Sequence, residues 1–225
     1  AAIEVERQVL KWCKQLLEFP DTASGVLTNG ASAANLTALV TARNHQAAGN
    51  IRNTGLRGEP GDMLLYCSDE THSCIVKAAE VMGLGAAAVR RVPVDAQYRM
   101  RTDVLEQMIQ QDIAAKRRPF CIVGNAGTVN TGAIDPLDKL LALSRKYELW
   151  FHIDGAFGAL AKRVPEYADA LRPIEQADSV AFDLHKWLYM PYAVGCVLIR
   201  NAAAHRKTFE QAPNYLLQHE RGISA

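Results

Sequence analysis

The chain has 225 residues, of which 49% are hydrophobic and 22% are charged. This length and composition are typical of one large globular domain or two small ones, and they exclude a disordered or fibrous protein. Twenty-five basic and 24 acidic residues leave a formal net charge of +1. No overall field therefore favours nucleic acid or an anionic membrane surface, and neither is expected as a partner.

The five cysteines are scattered along the chain and form no C-x-x-C pair. This pattern favours reduced, mostly buried thiols over a zinc site or a disulfide framework. No apolar run has the length of a membrane helix, and Ala1–Arg7 lacks the pattern of a signal peptide. We therefore expect a cytoplasmic location and no bound metal.

The first predicted element is an amphipathic helix over Ile3–Phe19, which Pro20 ends. From Gly25 onward, short apolar runs typical of buried strands alternate with helical patterns. Four predicted strands are each followed by a predicted helix: Val26–Thr28 by Ser32–Gln46, Met63–Cys67 by His72–Met82, Ala87–Val94 by Thr102–Lys116, and Phe120–Gly124 by Leu137–Tyr147. Three further strands are predicted at Leu149–Ile153, Ser179–Phe182 and Val194–Ile199.

This alternation predicts an α/β fold with a mostly parallel central sheet flanked by helices. The polar stretch Gly49–Asp62 is predicted to be an exposed loop. Ligands of open parallel sheets bind at the carboxyl ends of the strands. The residues that follow each strand are therefore the candidates for a site.

Gly30-Ala31-Ser32 joins the first strand to its helix. Backbone amides, a hydroxyl and the positive end of the helix dipole suit a phosphate there. The alternative is an ordinary helix start with Ser32 as its N-cap. The segment is neither a Walker loop nor a dinucleotide fingerprint, so the functional hypothesis is the phosphate of a small cofactor.

Three side chains near strand ends carry further chemistry. Lys186 follows a strand, where a deprotonated amine forms a Schiff base with a carbonyl, although a solvated lysine is an open alternative. Asp154 ends an apolar run, and a buried carboxylate needs a partner such as a protonated pyridine nitrogen; a helix N-cap is the alternative. His72 either stacks on an aromatic cofactor or caps a helix. Together these groups match what pyridoxal phosphate requires.

Two segments resemble a known family: Asp183-Leu184-His185-Lys186-Trp187, and His152-Ile153-Asp154-Gly155-Ala156 some thirty residues before it. They are similar to the group II pyridoxal-phosphate-dependent amino-acid decarboxylases, which include the aromatic-L-amino-acid and glutamate decarboxylases. The resemblance runs from about Gly25 to Arg200. It implies the large cofactor domain of fold-type I, aspartate-aminotransferase-like enzymes.

The resemblance also implies a division of the chain. Residues 1–24 would form an N-terminal helix and connection, and residues 25–200 the domain that binds pyridoxal 5′-phosphate. Residues 201–225 would begin the connection to a C-terminal domain that we expect outside this chain, together with a mobile loop that carries the proton donor.

By position, Lys186 is similar to the lysine that binds the cofactor covalently, and His185 to the neighbour that helps to bind its phosphate. Ala31 and Ser32 match the turn that holds the phosphate. Asp154 is similar to the carboxylate that pairs with the pyridine nitrogen. The resemblance therefore implies Lys186 and Asp154 as catalytic residues.

Three more positions follow from the resemblance. Ala156 is similar to the small residue beneath the cofactor ring, His72 to the catalytic imidazole above it, and Thr128 to the threonine beside it. One departure concerns Asp183 and Leu184, where the family often has Asn-Pro. An ionised Asp183 would repel a phosphate, so it turns away, binds through a water, or orients His185; we include it in the cofactor site.

The activity that the resemblance implies is decarboxylation of an L-amino acid to its amine and CO₂ by a homodimer. Aromatic substrates are favoured and acidic ones come next.

Within the same cofactor class, a carbon–carbon lyase is an alternative. Two other classes also stay open: a serine hydrolase that uses Ser32, Asp154 and His185, and a catalytically incomplete cofactor-binding or interaction domain. Cofactor binding without turnover is an open outcome for this chain alone. A metal site of His72, His152, Asp154 and His185 has unspecific spacing.

Overall fold

A computed structural model of the chain describes residues 2–211. The α-helices are α1 (Ala2–Leu17), α2 (Ala31–Gln46), α3 (Ile51–Thr54), α4 (Cys74–Val81), α5 (Thr102–Ala114), α6 (Leu137–Lys146), α7 (Pro165–Leu171), α8 (Leu184–Trp187) and α9 (Ala202–Phe209). The strands are β1 (Ser24–Thr28), β2 (Met63–Ser68), β3 (Val89–Val92), β4 (Arg118–Asn125), β5 (Trp150–Asp154), β6 (Ser179–Asp183) and β7 (Gly195–Ile199).

The strands form one seven-stranded sheet in the order β1-β7-β6-β5-β4-β2-β3. Strands β2 to β6 pair in parallel with their neighbours among themselves, and β7 runs antiparallel to both β6 and β1. Helices cover both faces. The predicted α/β fold with a mostly parallel sheet and flanking helices is confirmed.

The burial of both sheet faces explains why the strand sequences are nearly continuous apolar runs. Successive side chains of a strand point to opposite faces. In β5, Phe151 and Ile153 join the core beneath α1, α5 and α6, whereas Trp150 joins the core beneath α2 and α4. His152 and Asp154 share the parity of Trp150, and they therefore face α2.

Helix α2 packs closely on the sheet because its buried face consists of small residues. Ala34, Ala38 and Ala42 recur at intervals of four and are fully buried, which is the spacing of one helix face. The short side chains let the helix backbone approach the strands. The first turn of α2 therefore lies against the carboxyl end of the sheet.

The reversed direction of β7 and four local elements were not predicted. The whole connection from β6 to β7, Leu184–Val194, has eleven residues, just under the dozen or more that a parallel crossover needs, and β7 returns antiparallel beside β6. Lys186 lies in the short helix α8 instead of a loop. The predicted loop Gly49–Asp62 contains α3 and a 3₁₀ turn, and α7 begins at a Pro in its first turn, a common helix start.

Within residues 2–211, no helix is both long and apolar enough to cross a membrane. The predicted connection at residues 201–225 begins with α9, and its residues 212–225 lie outside the described part. The division into residues 1–24, 25–200 and 201–225 stays a prediction.

Candidate active site

A cleft of about 380 Å³ opens at the carboxyl end of the sheet. All nine residues that the sequence assigned to a site line it: Ala31, Ser32, His72, Thr128, Asp154, Ala156, Asp183, His185 and Lys186. They come from the ends of four strands, β2, β4, β5 and β6, and from the first turn of α2. The sheet thus brings together groups that are up to 155 positions apart in the sequence, as expected for a parallel α/β fold.

The first turn of α2 forms one wall of this cleft. Its N-cap is Gly30, with a φ of 89°, and Ser32 lies inside the helix, so the alternative of Ser32 as the N-cap is wrong. A Cβ on Gly195 would lie 2.5 Å from the carbonyl carbon of Gly30. Glycine at position 195 therefore lets β7 pass directly behind the turn.

Asp183 faces the site and does not turn away from it. Its Oδ1 accepts a hydrogen bond from the backbone amide of Ala31 at 2.6 Å, and its Oδ2 lies 2.9 Å from Lys186 Nζ. The side chain of Asp183 is 5% exposed and that of Lys186 is 38% exposed. The carboxylate therefore binds both the helix terminus and the amine, which leaves the next amides of α2 for an anion because first-turn amides lack an intrahelical acceptor.

His185 is held by the backbone of Val194, the residue that precedes β7, and not by a nucleophilic side chain such as Ser32. Its Nδ1 lies 2.9 Å from the carbonyl oxygen and 3.1 Å from the amide nitrogen of Val194. Its ring packs edge-on against Tyr192, with 4.6 Å between centroids, and its Cε1 faces Gly30. The geometry thus gives no support to a hydrolase in which His185 activates Ser32.

Asp154 is the buried acidic group at the floor of the cleft. It is 6% exposed, and its Oδ1 accepts a hydrogen bond from the Ala156 amide at 3.1 Å. Burial raises the pKa of this carboxyl, while the Ala156 amide, His72, Asn35 and Lys186 oppose the rise. The next helical turn begins only at Ala159, so Asp154 is not a helix N-cap.

His72 is an exposed imidazole on a well-anchored loop. Its Nδ1 accepts a hydrogen bond from the Cys74 amide at 3.2 Å, just before α4. Arg91 donates to three carbonyl oxygens of Ser68–Thr71, and Asn125 Nδ2 lies 2.8 Å from Thr71 Oγ1. The ring is thus held over the cleft while its faces stay accessible.

Thr128 completes the wall beside Asp154. Its Oγ1 lies 2.7 Å from the hydroxyl of Thr131, and its amide donates to Ala133 O at 2.9 Å. A Cβ on Gly158 would lie 2.5 Å from Ala126 O. The loop after β4 therefore packs backbone to backbone against the loop after β5.

The site predicted from the sequence omitted five polar residues that also line the cleft: Asn29, Asn35, Cys74, Asn125 and Tyr192. Asn35 lies four residues after Ala31 on α2, so helical periodicity places both on one face; that signal was present in the sequence. Burial and the Asp154 charge raise the pKa of Cys74 to about 12. This thiol therefore stays protonated at neutral pH.

His152 lies behind the cleft and is completely buried. Its Nδ1 lies 2.8 Å from Ser179 Oγ and its Nε2 2.8 Å from Asn35 Oδ1. Burial lowers the pKa of this imidazole to about 3. Because both ring nitrogens are hydrogen-bonded, His152 is not available as the metal ligand that one alternative required.

These groups fit a small, planar, phosphorylated ring with a protonated nitrogen, such as pyridoxal phosphate. The cleft has the size of a small-molecule site, and a helix N-terminus with spare amides lies at one end. A buried carboxylate whose pKa burial raises calls for a positive partner. An amine, Lys186, and an accessible imidazole, His72, lie at the opening. The cleft therefore offers a carboxylate for a ring cation, helix amides for a phosphate, an amine for a carbonyl and an imidazole for a flat ring.

Comparisons with known proteins agree with this geometry. The family profile described as the pyridoxal-dependent decarboxylase conserved domain matches residues 1–225. The aromatic-L-amino-acid decarboxylase of Bacillus atrophaeus is 37% identical over 222 residues, which are 99% of this chain and 44% of that protein. The chain spans less than half the length of the curated relatives it matches.

Two solved structures are also similar. One is the glutamate decarboxylase domain of diaminobutyrate-pyruvate transaminase and L-2,4-diaminobutyrate decarboxylase from Vibrio parahaemolyticus, with a TM-score of 0.85, 31% identity, and coverage of 92% of this chain and 45% of that one. The other is the Oryza sativa TDC with PLP and tryptamine, with a TM-score of 0.86, 28% identity, and coverage of 96% and 46%.

The buried His152 gives a prediction for stability against pH. Its pKa is depressed in the folded protein, so the unfolded chain takes up the proton first, near pH 6.5. Stability is therefore lost as the pH falls below 6.5. Between pH 7 and 5 we expect the free energy of unfolding of the wild type to fall by about 2 kcal/mol more than that of His152→Gln, measured by urea denaturation. Equal losses in the two proteins would contradict this assignment.

Proposed function

Because this chain belongs to the pyridoxal-dependent decarboxylase family, we propose that the protein decarboxylates an L-amino acid to its amine and CO₂. The cofactor is pyridoxal 5′-phosphate, the cofactor of the family. The single observation that carries the proposal is the convergence of Asp154, Lys186 and the first turn of α2 on one cleft. These are the three contacts that such a cofactor needs.

The residues of this chain divide the work of holding the cofactor. Lys186 supplies the amine that anchors it, and the amides of Ser32 and Ala33 receive the phosphate at the start of α2, with help from His185. Asp154 would pair with the ring nitrogen and keep a proton on it. A bound cofactor of this kind would supply the electron sink for the carbanion that loss of CO₂ leaves at Cα.

Asp183 has a role that its charge alone does not suggest. It caps α2 at the Ala31 amide and holds the Lys186 ammonium. The carboxylate therefore holds the amine of Lys186 at the cleft, beside the first turn of α2. The helix terminus and the ammonium group offset the repulsion between Asp183 and a phosphate.

His72 and Ala156 shape the space between them. The imidazole is anchored by the Cys74 amide, and both residues line the cleft, where the small side chain of Ala156 leaves room for a flat ring. Together they would restrict the orientation of a bound substrate, as bond cleavage at Cα requires.

The anchoring of the cofactor by Lys186 can be tested by chemical trapping. We expect borohydride to fix pyridoxal phosphate covalently on Lys186 in the wild type, with labelling at background level in Lys186→Ala, as measured by mass spectrometry of the digested protein. Lys77→Ala is the matched control, because Lys77 is an exposed lysine that pairs with Glu80. Absence of wild-type labelling in folded protein would overturn the proposal. Labelling without amine formation from any amino acid would instead favour the catalytically incomplete domain.

The substrate that the site favours is an aromatic amino acid. Phe157 and Tyr192 line the cleft, and among the described lining residues Lys186 is the sole lysine or arginine. The side-chain carboxylate of an acidic substrate therefore gains no further cation from these residues, whereas an aromatic ring gains apolar and edge contacts. The 37% identity to an aromatic-L-amino-acid decarboxylase supports the same order.

We expect kcat/KM for L-tyrosine or L-tryptophan to exceed that for L-glutamate by about tenfold or more in the full-length protein. The measurement is release of CO₂ and of the amine over a panel of amino acids. A preference for glutamate would reverse the order. Release of an aldehyde and a smaller amine without CO₂ would support the carbon–carbon lyase.

We also propose that the protein is a homodimer. The segment after Lys186 exposes an apolar surface, the post-lysine patch, which consists of Trp187, Leu188, Tyr189, Met190 and Tyr192. Tyr189 and Tyr192 are 93% and 89% exposed, and helix α1 adds exposed Trp12. Contiguous apolar surface of this kind marks an interface, and two-fold dimers are the commonest closed assembly.

We expect sedimentation equilibrium to give twice the mass of one chain, and Tyr189→Asp with Tyr192→Asp to shift the equilibrium toward the monomer. Tyr98→Asp, at an exposed tyrosine outside the patch, is the control and keeps the dimer. Only monomers at high concentration of the wild type would contradict a homodimer.

A cytoplasmic location is part of the proposal. All five cysteines are free and buried in the structure, and unpaired thiols are the rule in reducing compartments.

A further inference from the structure

A chain of buried polar groups runs behind the cleft, beneath α2. Trp150 Nε1 donates to Ser179 Oγ at 2.8 Å, His152 Nδ1 lies 2.8 Å from the same oxygen, and His152 Nε2 lies 2.8 Å from Asn35 Oδ1. Asn35 Nδ2 continues to Cys74 Sγ at 3.4 Å. Asn35, His152 and Ser179 have no exposed surface.

The donors along this chain favour one orientation for each group. The indole of Trp150 only donates, so Ser179 Oγ accepts from it, and we assign the hydrogen of the Ser179 hydroxyl to the bond with His152 Nδ1. A neutral His152 then carries its hydrogen on Nε2 and donates it to Asn35 Oδ1. The amide of Asn35 is thereby oriented with its NH₂ group toward the cleft.

The opposite orientation conflicts with the neighbours. A reversed amide would turn Asn35 Oδ1 toward Cys74 Sγ and the cleft that the Asp154 carboxylate also lines, which places a second acceptor on the side of that carboxylate. It would also leave the Ser179 hydroxyl to find another acceptor while Trp150 and His152 both donate to it. Both costs fall on buried groups, where an unmatched polar group is most destabilising.

We propose that Asn35 is the positioning residue for Asp154, and that Trp150, Ser179 and His152 fix the orientation in which its amide donates toward that carboxylate. His152 and Asp154 are two residues apart on the same face of β5. Asn35 on α2 is hydrogen-bonded to His152 Nε2 and lines the same cleft as Asp154. Asn35 lowers the pKa of Asp154 against the burial that raises it. Because Asp154 acts here on the ring nitrogen of the cofactor, the proposal rests on the proposed function.

The first test reads the hydrogen-bond chain without the cofactor. Long-range ¹⁵N–¹H NMR of the His152 ring in the cofactor-free protein reports which nitrogen carries the hydrogen. We expect the Nε2–H form from pH 5.5 to 8 in the wild type and a mixture of both neutral forms in Ser179→Ala. An Nδ1–H form in the wild type would reverse the Asn35 amide and overturn the proposal.

The second test reads the action of Asn35 on the ring nitrogen. Two probes are titrated into the protein: pyridoxal phosphate and its analogue in which C–H replaces the ring nitrogen. Asn35→Leu keeps the approximate shape and removes the donor. We expect it to weaken pyridoxal phosphate about tenfold or more and to leave the analogue within about twofold, so the preference of the wild type for the natural cofactor is lost.

Two variants keep this second test decisive. Ser179→Ala changes the far end of the hydrogen-bond chain and serves as the test if Asn35→Leu does not fold. We expect it to lose the preference for the natural cofactor in part. Asn44→Leu, on the same helix and outside the cleft lining, is the matched control and keeps the preference. Equal weakening of both probes in Asn35→Leu would make Asn35 a structural residue and overturn only this proposal. A wild type that binds neither probe would overturn the proposed function with it.

Discussion

The carboxylate of Asp154 lies at the carboxyl end of the central strand, where burial opposes its charge and the residue is only 6% exposed. A charged group in this position persists only when neighbouring donors and cations face it. The Ala156 amide, Asn35, His72 and Lys186 do so from four different elements. Most of the site can be understood as the set of residues that keep one buried carboxylate ionised and aimed at the cleft.

The sheet supplies the geometry for that arrangement. Strand β5 lies fourth of seven strands, so both of its faces are covered and its end is surrounded by the loops of its neighbours. Helix α2 approaches closely because its buried face is made of alanines, and Gly195 allows β7 to pass behind Gly30. These small residues bring a helix N-terminus, an anion-binding group, to the same cleft as the carboxylate.

Much of this was predictable from the sequence, for identifiable reasons. Apolar runs gave the strands, and the rule that ligands bind at strand ends selected Asp154, Lys186 and the turn at Ala31. The resemblance to the decarboxylases then gave their roles, and the family is confirmed. The roles of individual site residues stay predictions.

What the sequence did not give depends on contacts between distant positions. Asn35 and His152 are 117 positions apart, and the hydrogen bond between them becomes visible only once α2 lies on β5. Asp183 was expected to repel a phosphate because its partners, the Ala31 amide and Lys186, become visible only once α8 and α2 are placed side by side. The direction of β7 is set by a connection length that periodicity does not report.

The central claim is that Asp154 keeps the cofactor's ring nitrogen protonated. The most direct measurement is the ¹⁵N chemical shift of that nitrogen, in protein loaded with ring-labelled pyridoxal phosphate, between pH 6 and 9. We expect a protonated nitrogen over the whole range in the wild type and a neutral one in Asp154→Asn. A wild-type nitrogen that loses its proton at the same pH as the free cofactor would contradict the account.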